Sequence, residues 1–248
     1  MSDQGGARGT LGTVRNAMLL LELLSDGPPF RPLSELAEES GLSLPTVHRV
    51  LRSLVVAGLV EQEERTSRYG LGAELTRLSQ RYLARLPVLG ALAPYLVPLR
   101  DQIGSTIRVA ILVRGLAVFV DRVDGNDSGL YRGAQHTEPA LQSAAGRVLA
   151  ARNDDVNWQL ACERVDDVAA KEASDERHDW SRQPYLITRE SASDPAPEIA
   201  VPVIDGSGTA AAALATQVAA DADQSRIDAV IEGLTQVAQA AGRTLGHG

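Results

Sequence analysis

The sequence predicts an α+β chain in two parts: a small helical head with a hairpin, then a domain of antiparallel strands flanked by helices. Three observations carry this. Within the first 72 residues, three runs place apolar residues at helical spacing, and two short β-like runs follow. Beyond Pro87, strand-like and helix-like segments mix without the strict alternation that a parallel sheet needs. The charge also divides. Residues 1–86 hold ten Arg and ten acidic residues, so the rest of the 248-residue chain carries the whole net charge of −8.

The elements follow in order. Residues 1–12, rich in Gly with Ser, Asp and Gln, read as a disordered arm. Thr13 is placed to cap a first helix whose buried stripe is Val14, Ala17, Met18, Leu20, Leu21 and Leu24, and Gly27-Pro28-Pro29 stops it. A second helix covers about Leu33 to Ser40, and Gly41 supplies the positive φ of a tight turn. The third begins at Ser43, tolerates Pro45 in its first turn, and runs to about Ala57, where Gly58 closes it. Leu59–Gln62 and Arg68–Leu71 form a short hairpin with Arg65–Arg68 at its tip.

Ala73 to Leu86 is a further helix carrying Leu75, Leu78, Tyr82 and Leu86, more apolar surface than a bare linker needs and suited to a second subunit. Another helix runs from about Leu89 to Ile103. Thr106–Val113 and Ala117–Val123 are a hairpin around Arg114-Gly115, and Leu130–Gly133 is a short strand. Helices follow at about Ser143–Ala151 and Val156–Val165, while Asp166–Arg182 resists assignment. Tyr185–Arg189 reads as a strand. Ile199–Ile204 and Ala210–Gln217 are two more, joined by Asp205-Gly206-Ser207-Gly208, and Ser225–Leu245 is a closing amphipathic helix.

The second and third helices have the spacing of a helix-turn-helix, and the hairpin makes it winged. Turning 100° per residue from Val47 puts Val47, Val50, Leu51 and Leu54 on the core side. Pro45, Thr46, Arg49, Arg52 and Ser53 lie opposite, with His48 on the flank. Residues 43–60 contain Arg49 and Arg52 and no acid, so the local charge suits phosphate although the chain is acidic. Ser43 and Thr46 are candidates for contact near the helix start, and Arg65 and Arg68 for the flanking backbone or minor groove. Glu61, Glu63 and Glu64 oppose that last role.

Other classes fare poorly. No apolar run reaches the ~18–20 residues of a membrane span, and nothing at the start resembles an export signal. The single cysteine, Cys162, suits a reducing cytoplasm and excludes an internal disulfide. His48, His136, His178 and His247 are scattered, with no metal-ligand spacing, no nucleophile elbow and no phosphate loop. The expectation is no catalytic residue, no cofactor and no metal.

The pattern Leu33-Ser-Glu-Leu-Ala37…Thr46-Val47-His48-Arg49…Leu54…Gly58-Leu59-Val60…Tyr69-Gly70-Leu71-Gly72 resembles the IclR family of bacterial transcriptional regulators. The likeness continues through Val118–Gly125, Leu141–Arg147 and Ile199–Gly208. The resemblance implies a winged helix-turn-helix at 13–72, a linker helix at 73–87 and a GAF-like effector-binding domain at 88–248, assembled as dimers or tetramers. It also implies operator DNA and a small metabolite, often a carboxylate or aromatic acid, as partners.

Three positions depart from the family pattern: Leu141 for a usual histidine, Arg147 for lysine, and Glu198 where cysteine is frequent. The expected effector residues are Arg132, Gln142, Ser143, Ala144 and Glu198. The helix start at Ser143 either offers free N–H groups to a carboxylate or is merely capped by its serine. Glu198 either lines the cavity and repels anions or lies at a wet rim, with Arg132 as its counter-charge or an anion clamp. Trp158, Trp180 and Tyr185 either wall the cavity or fill core. Two competing readings stay open: a second domain that only oligomerises, and an enzyme or binding protein that uses the helix-turn-helix for protein contacts.

Overall fold

The computed structural model describes residues 5–126, 137–189 and 196–246. It divides into two compact units, residues 1–83 and 84–248. The first contains α1 (Gly5–Ser25), α2 (Leu33–Ser40), α3 (Leu44–Val56), the antiparallel hairpin of β1 (Val60–Gln62) and β2 (Tyr69–Leu71), and α4 (Glu74–Leu83).

Its core is Leu20, Leu24, Leu36, Ala37, Val47, Val50, Leu51, Leu54, Val60 and Tyr69. Each fully buried leucine among them contributes about 1.5–3 kcal/mol relative to exposure. The turn between α2 and α3 works as its sequence predicts: Gly41 has φ +66°, and its N–H donates to the Glu38 carbonyl. Three differences stand out. α1 starts at Gly5, so residues 5–12 are helix where an arm was expected, and Thr13 lies inside that helix. Val14 and Met18 are exposed rather than part of the buried stripe. Once a packed helix exists, adding a residue at its end costs far less than nucleation, so composition alone does not set the first turn.

Arg31 is the feature the apolar pattern hid. It is buried, its Nη1 donates to the Leu23 carbonyl at 2.8 Å, its Nε to Glu35 at 2.7 Å, and it also pairs with Glu39. Its backbone N–H and C=O exchange 2.8 Å bonds with Tyr69. One residue thereby ties α1, α2 and β2 together. The neighbouring carboxylates, Glu39 foremost, raise the Arg31 pKa further above its ordinary range.

The second unit is built on a six-stranded antiparallel sheet in the order β5-β4-β3-β8-β7-β6. The strands are β3 (Ile107–Val113), β4 (Leu116–Val123), β5 (Thr137–Pro139), β6 (Leu186–Arg189), β7 (Pro197–Ile204) and β8 (Ala210–Gln217). One face carries α5 (Pro87–Ile103) and α9 (Gln224–Leu245), which also pack on each other. The other carries α6 (Ala144–Ala151), with α7 (Asp155–Cys162) and α8 (Asp167–Arg182) beyond it. Alternation along the strands sends Arg108, Ala110, Glu198, Ala200, Ala213 and Ala215 to the α6 face. Those alanines keep that face shallow. Gly146 on α6 completes the close approach, because a Cβ there would run into the Ala140 carbonyl oxygen.

The two strands around the Asp205 turn form as the sequence predicts, and the Asp205 carboxylate accepts from the Ser207 and Thr209 N–H groups. The Ser207 hydroxyl beside it holds the Asp205 pKa below the ordinary value. Asp166–Arg182, unassigned by pattern, is α8: Asp166 caps it by accepting from Val168 and Ala169 N–H. Only Ala173 and Trp180 of that helix are buried, seven residues apart, so the stripe is too thin to read. β5 was not foreseen, and the strand expected at Leu130–Gly133 lies outside the described residues. No single helix among the described residues is long and apolar enough to cross a membrane.

Candidate nucleic-acid interface and effector site

α3 buries Val47, Val50, Leu51 and Leu54 against α1 and α2 and turns its other side to solvent. Ser43, Pro45, His48, Arg49, Arg52 and Ser53 are exposed, and Thr46 is half-buried. Ser43 stands at the N-cap position, but its hydroxyl bonds the Thr46 hydroxyl at 2.8 Å instead of a backbone N–H. Pro45 has no N–H, and the Thr46 and Val47 N–H groups both donate to the Ser43 carbonyl, so the helix start presents the two hydroxyls to solvent. Ser53 returns its hydroxyl to the Arg49 carbonyl at 3.1 Å. His48, Arg49, Arg52, Ser53 and Val56 line one shallow depression of about 550 Å³.

At the hairpin, Arg65 and Arg68 are both exposed on the loop between β1 and β2. The tip is shaped by Thr66, which donates to Glu63, and by Ser67 at φ +57°. Glu63 is thereby turned to the loop's own hydroxyl. α4 has no buried residue; Leu78 and Tyr82 on it are 44% and 55% exposed.

In the second unit the expected effector residues divide. Arg132 lies outside the described residues, and Gln142 is exposed in a single 3-10 turn, Ala140–Gln142. Ser143 caps α6 by accepting from the Gly146 N–H at 3.2 Å. Glu198 is fully buried, neither at a wet rim nor beside an open anion site. Its Oε2 accepts from the Ala144 N–H at 2.7 Å and the Ala145 N–H at 3.3 Å, and its Oε1 from Arg108 Nη2 at 2.8 Å. Among the described residues, Arg108 supplies the counter-charge. Its guanidinium also stacks 4.8 Å from the Phe119 ring centre. Pattern reading passed over Arg108, although an arginine inside the apolar run Ile107–Val113 was a visible signal.

Burial pushes the Glu198 carboxyl above its ordinary pKa, against the pull of Arg108 and the two N–H groups; Glu138 adds to the upward push. Thr188 pairs with Glu198 across β6 and β7, so both side chains project to one face. Beside them lies a cavity of about 200 Å³ lined by Arg147, Glu176, Trp180, Gln183, Leu186, Ile187 and Thr188. The Thr188 hydroxyl is buried there without a hydrogen-bond partner among the described residues. Arg147 lies 5.0 Å over Trp180 and donates to the Leu141 carbonyl at 2.9 Å, and burial lowers its pKa. Trp180 lines this cavity and also belongs to the core cluster, and Trp158 packs edge-on against it in the core. No group of three or more metal-ligating side chains occurs among the described residues.

Comparison with known proteins places these features. Residues 13–64 match the IclR helix-turn-helix domain. The glycerol operon regulatory protein of Streptomyces coelicolor is 32% identical over 142 residues, 56% of this chain and 55% of that protein. The transcriptional repressor IclR of Escherichia coli is 27% identical over 119 residues, 46% of this chain and 43% of that one. The match thus spans about half the length of these curated relatives. Among solved structures, an IclR transcriptional regulator from Alicyclobacillus acidocaldarius has a TM-score of 0.75 at 20% identity, covering 95% of this chain and 99% of that one. An IclR homolog from Microbacterium hydrocarbonoxydans, complexed with 4-hydroxybenzoate, has a TM-score of 0.70 at 19% identity, covering 95% and 100%. The chain is similar to IclR-family transcriptional regulators by sequence over about half its length and by fold over nearly all of it.

Proposed function

We propose that this chain, which carries an IclR helix-turn-helix domain within the fold of IclR regulators, is a DNA-binding transcriptional regulator that answers to a small molecule. One observation carries the reading. α3 sits on a fully apolar base and offers solvent a face of Ser43, Thr46, His48, Arg49, Arg52 and Ser53 with no acid from 43 to 60. A helix so mounted can lay its first turns in the major groove. Arg49 and Arg52, one turn apart, reach base edges or phosphates. Arg65 and Arg68 on the wing serve the flanking backbone, a sequence-independent contribution.

A single 13-residue helix reads few base pairs, so the protein acts as a symmetric pair on two half-sites. The exposed Leu78 and Tyr82 on α4 support self-association, and pairs of such dimers would give the tetramer. The second unit is the sensing domain, its cavity beside Trp180 and Thr188 being the place for an effector that shifts the population between DNA-competent and incompetent arrangements. The working site is the cytoplasm, and the reading assigns no catalysis. The mobility of DNA from upstream of the chain's own gene tests it. Retardation by the wild type, changed by at least one metabolite of a panel, is expected. No retardation refutes the reading; retardation insensitive to every metabolite leaves the regulator but removes the sensor.

A further inference from the structure

We infer that Glu198 is a built-in ligand: its carboxylate fills the anion site at the N-terminus of α6, and the second unit takes no free carboxylate there while Glu198 is in place.

The argument is an accounting of donors. The first turn of a helix offers four backbone N–H groups without helical partners, and the positive end of the macrodipole favours an anion there. In α6 the N–H groups of its first three residues are all engaged. Ala144 and Ala145 donate to Glu198 Oε2 and Gly146 donates to the Ser143 hydroxyl, while the next N–H, that of Arg147, already makes the ordinary helical bond to the Ser143 carbonyl. The nearest cation, Arg108, gives its Nη2 to the other oxygen of the same carboxylate. Both oxygens of Glu198 therefore accept from N–H donors on two different elements, as the two oxygens of a bound acid would. A buried charge at 0% exposure persists only with such pairing, so site and side chain are matched to each other.

The consequence concerns ligand class. An acid entering this unit would have to displace a tethered carboxylate of the same chemistry, whose effective concentration is that of an intramolecular partner. The adjoining cavity, with the Arg147 guanidinium over Trp180, the Trp180 N–H on Glu176 and the Thr188 hydroxyl unpaired among the described residues, is left for a neutral ligand that carries a hydroxyl or carbonyl. For its meaning in regulation this rests on reading the second unit as a sensor. The test is therefore made on the full-length protein without DNA, so that failure here and failure of DNA binding are separate results.

Glu198→Ala removes the side chain beyond Cβ, which has the atoms of acetate. Thermal unfolding and isothermal titration are run on wild type, Glu198→Ala and Glu198→Gln with sodium acetate, against sodium chloride at equal ionic strength. The expected result is a lowered midpoint for Glu198→Ala that recovers saturably with millimolar acetate and not with chloride. Wild type gives no saturable acetate heat, and neither does Glu198→Gln, which keeps the volume and leaves no room. Saturable acetate binding to wild type overturns the inference. So does a folded Glu198→Ala indifferent to acetate, or one that acetate does not restore during refolding.

Discussion

Replacing Arg31 by Met isolates the one buried charge among the described residues of the first unit while keeping most of its apolar stem. The loss can be worked from its partners. The Glu35 and Glu39 side chains are 41% and 45% exposed, so they regain water, and each pair is worth the ~0–1 kcal/mol of a surface bridge. The bond to the Leu23 carbonyl, at 2.8 Å, is the larger loss, because a charge-assisted bond contributes about 1.5–3 kcal/mol. Together these give about 1.5–5 kcal/mol. At roughly 4–8 °C per kcal/mol for a unit of this size, the first unit should melt about 6–40 °C earlier. Trp158 and Trp180, the only tryptophans in the sequence, both lie in the second unit. Far-ultraviolet circular dichroism should therefore show an early loss of helix that tryptophan fluorescence does not follow. If the dichroism transition stays where it is in wild type, or if fluorescence moves with it by the same amount, the account of Arg31 as the tie among α1, α2 and β2 is wrong.

Other outcomes follow from the same geometry. Arg65→Ala and Arg68→Ala should weaken binding to every DNA sequence alike and each reduce the slope of log affinity against log salt by about 1, since phosphate contacts carry no sequence information; loss confined to one sequence would move these residues to base reading. Leu78→Glu on α4 should shift the sedimentation profile toward a lighter species at micromolar concentration, and an unchanged profile would place the self-association surface elsewhere. For Glu198 the raised pKa means that the folded state holds its proton more tightly than the unfolded chain. The stability of wild type relative to Glu198→Gln should fall as pH rises from the ordinary carboxyl value of 4.5 to the raised one, then level off. The slope is at most about 1.4 kcal/mol per pH unit for one group. Denaturant titrations across that range check it, and a relative stability that climbs with pH would contradict the burial argument.

The first unit was legible because its signals are local. Gly41 sits at a turn that needs φ > 0, and four apolar residues repeat at helical spacing along α3, which leaves its polar face by subtraction. Arg31 was not legible, since nothing in a single sequence distinguishes a buried arginine from the many solvated ones until its partners on α1, α2 and β2 are placed. The second unit was read as strands and helices, with Ser143, Ala144 and Glu198 among its candidate residues, but not as the arrangement those residues form. Glu198 and Ala144 are 54 positions apart, and Arg108 and Glu198 are 90 apart. Only the sheet order, which sets β3 and β7 on either side of β8, brings them under one helix end. Ser143 was rightly placed at a helix start, yet whether that start was vacant depended on a carboxylate from a distant strand. α8 was missed for a different reason: a mostly solvated helix writes little periodicity into its sequence.

The central claim is that the solvent face of α3 reads DNA, and fluorescence anisotropy with labelled upstream DNA addresses it most directly. Arg49→Ala and Arg52→Ala should each cost about 1–3 kcal/mol, roughly a 5- to 150-fold loss in affinity, if each specifies a base. Arg164→Ala, an exposed arginine of the second unit, should leave affinity unchanged. Equal affinities for all four proteins, at a salt concentration where wild type discriminates its own upstream DNA from random duplex, would contradict the assignment of α3.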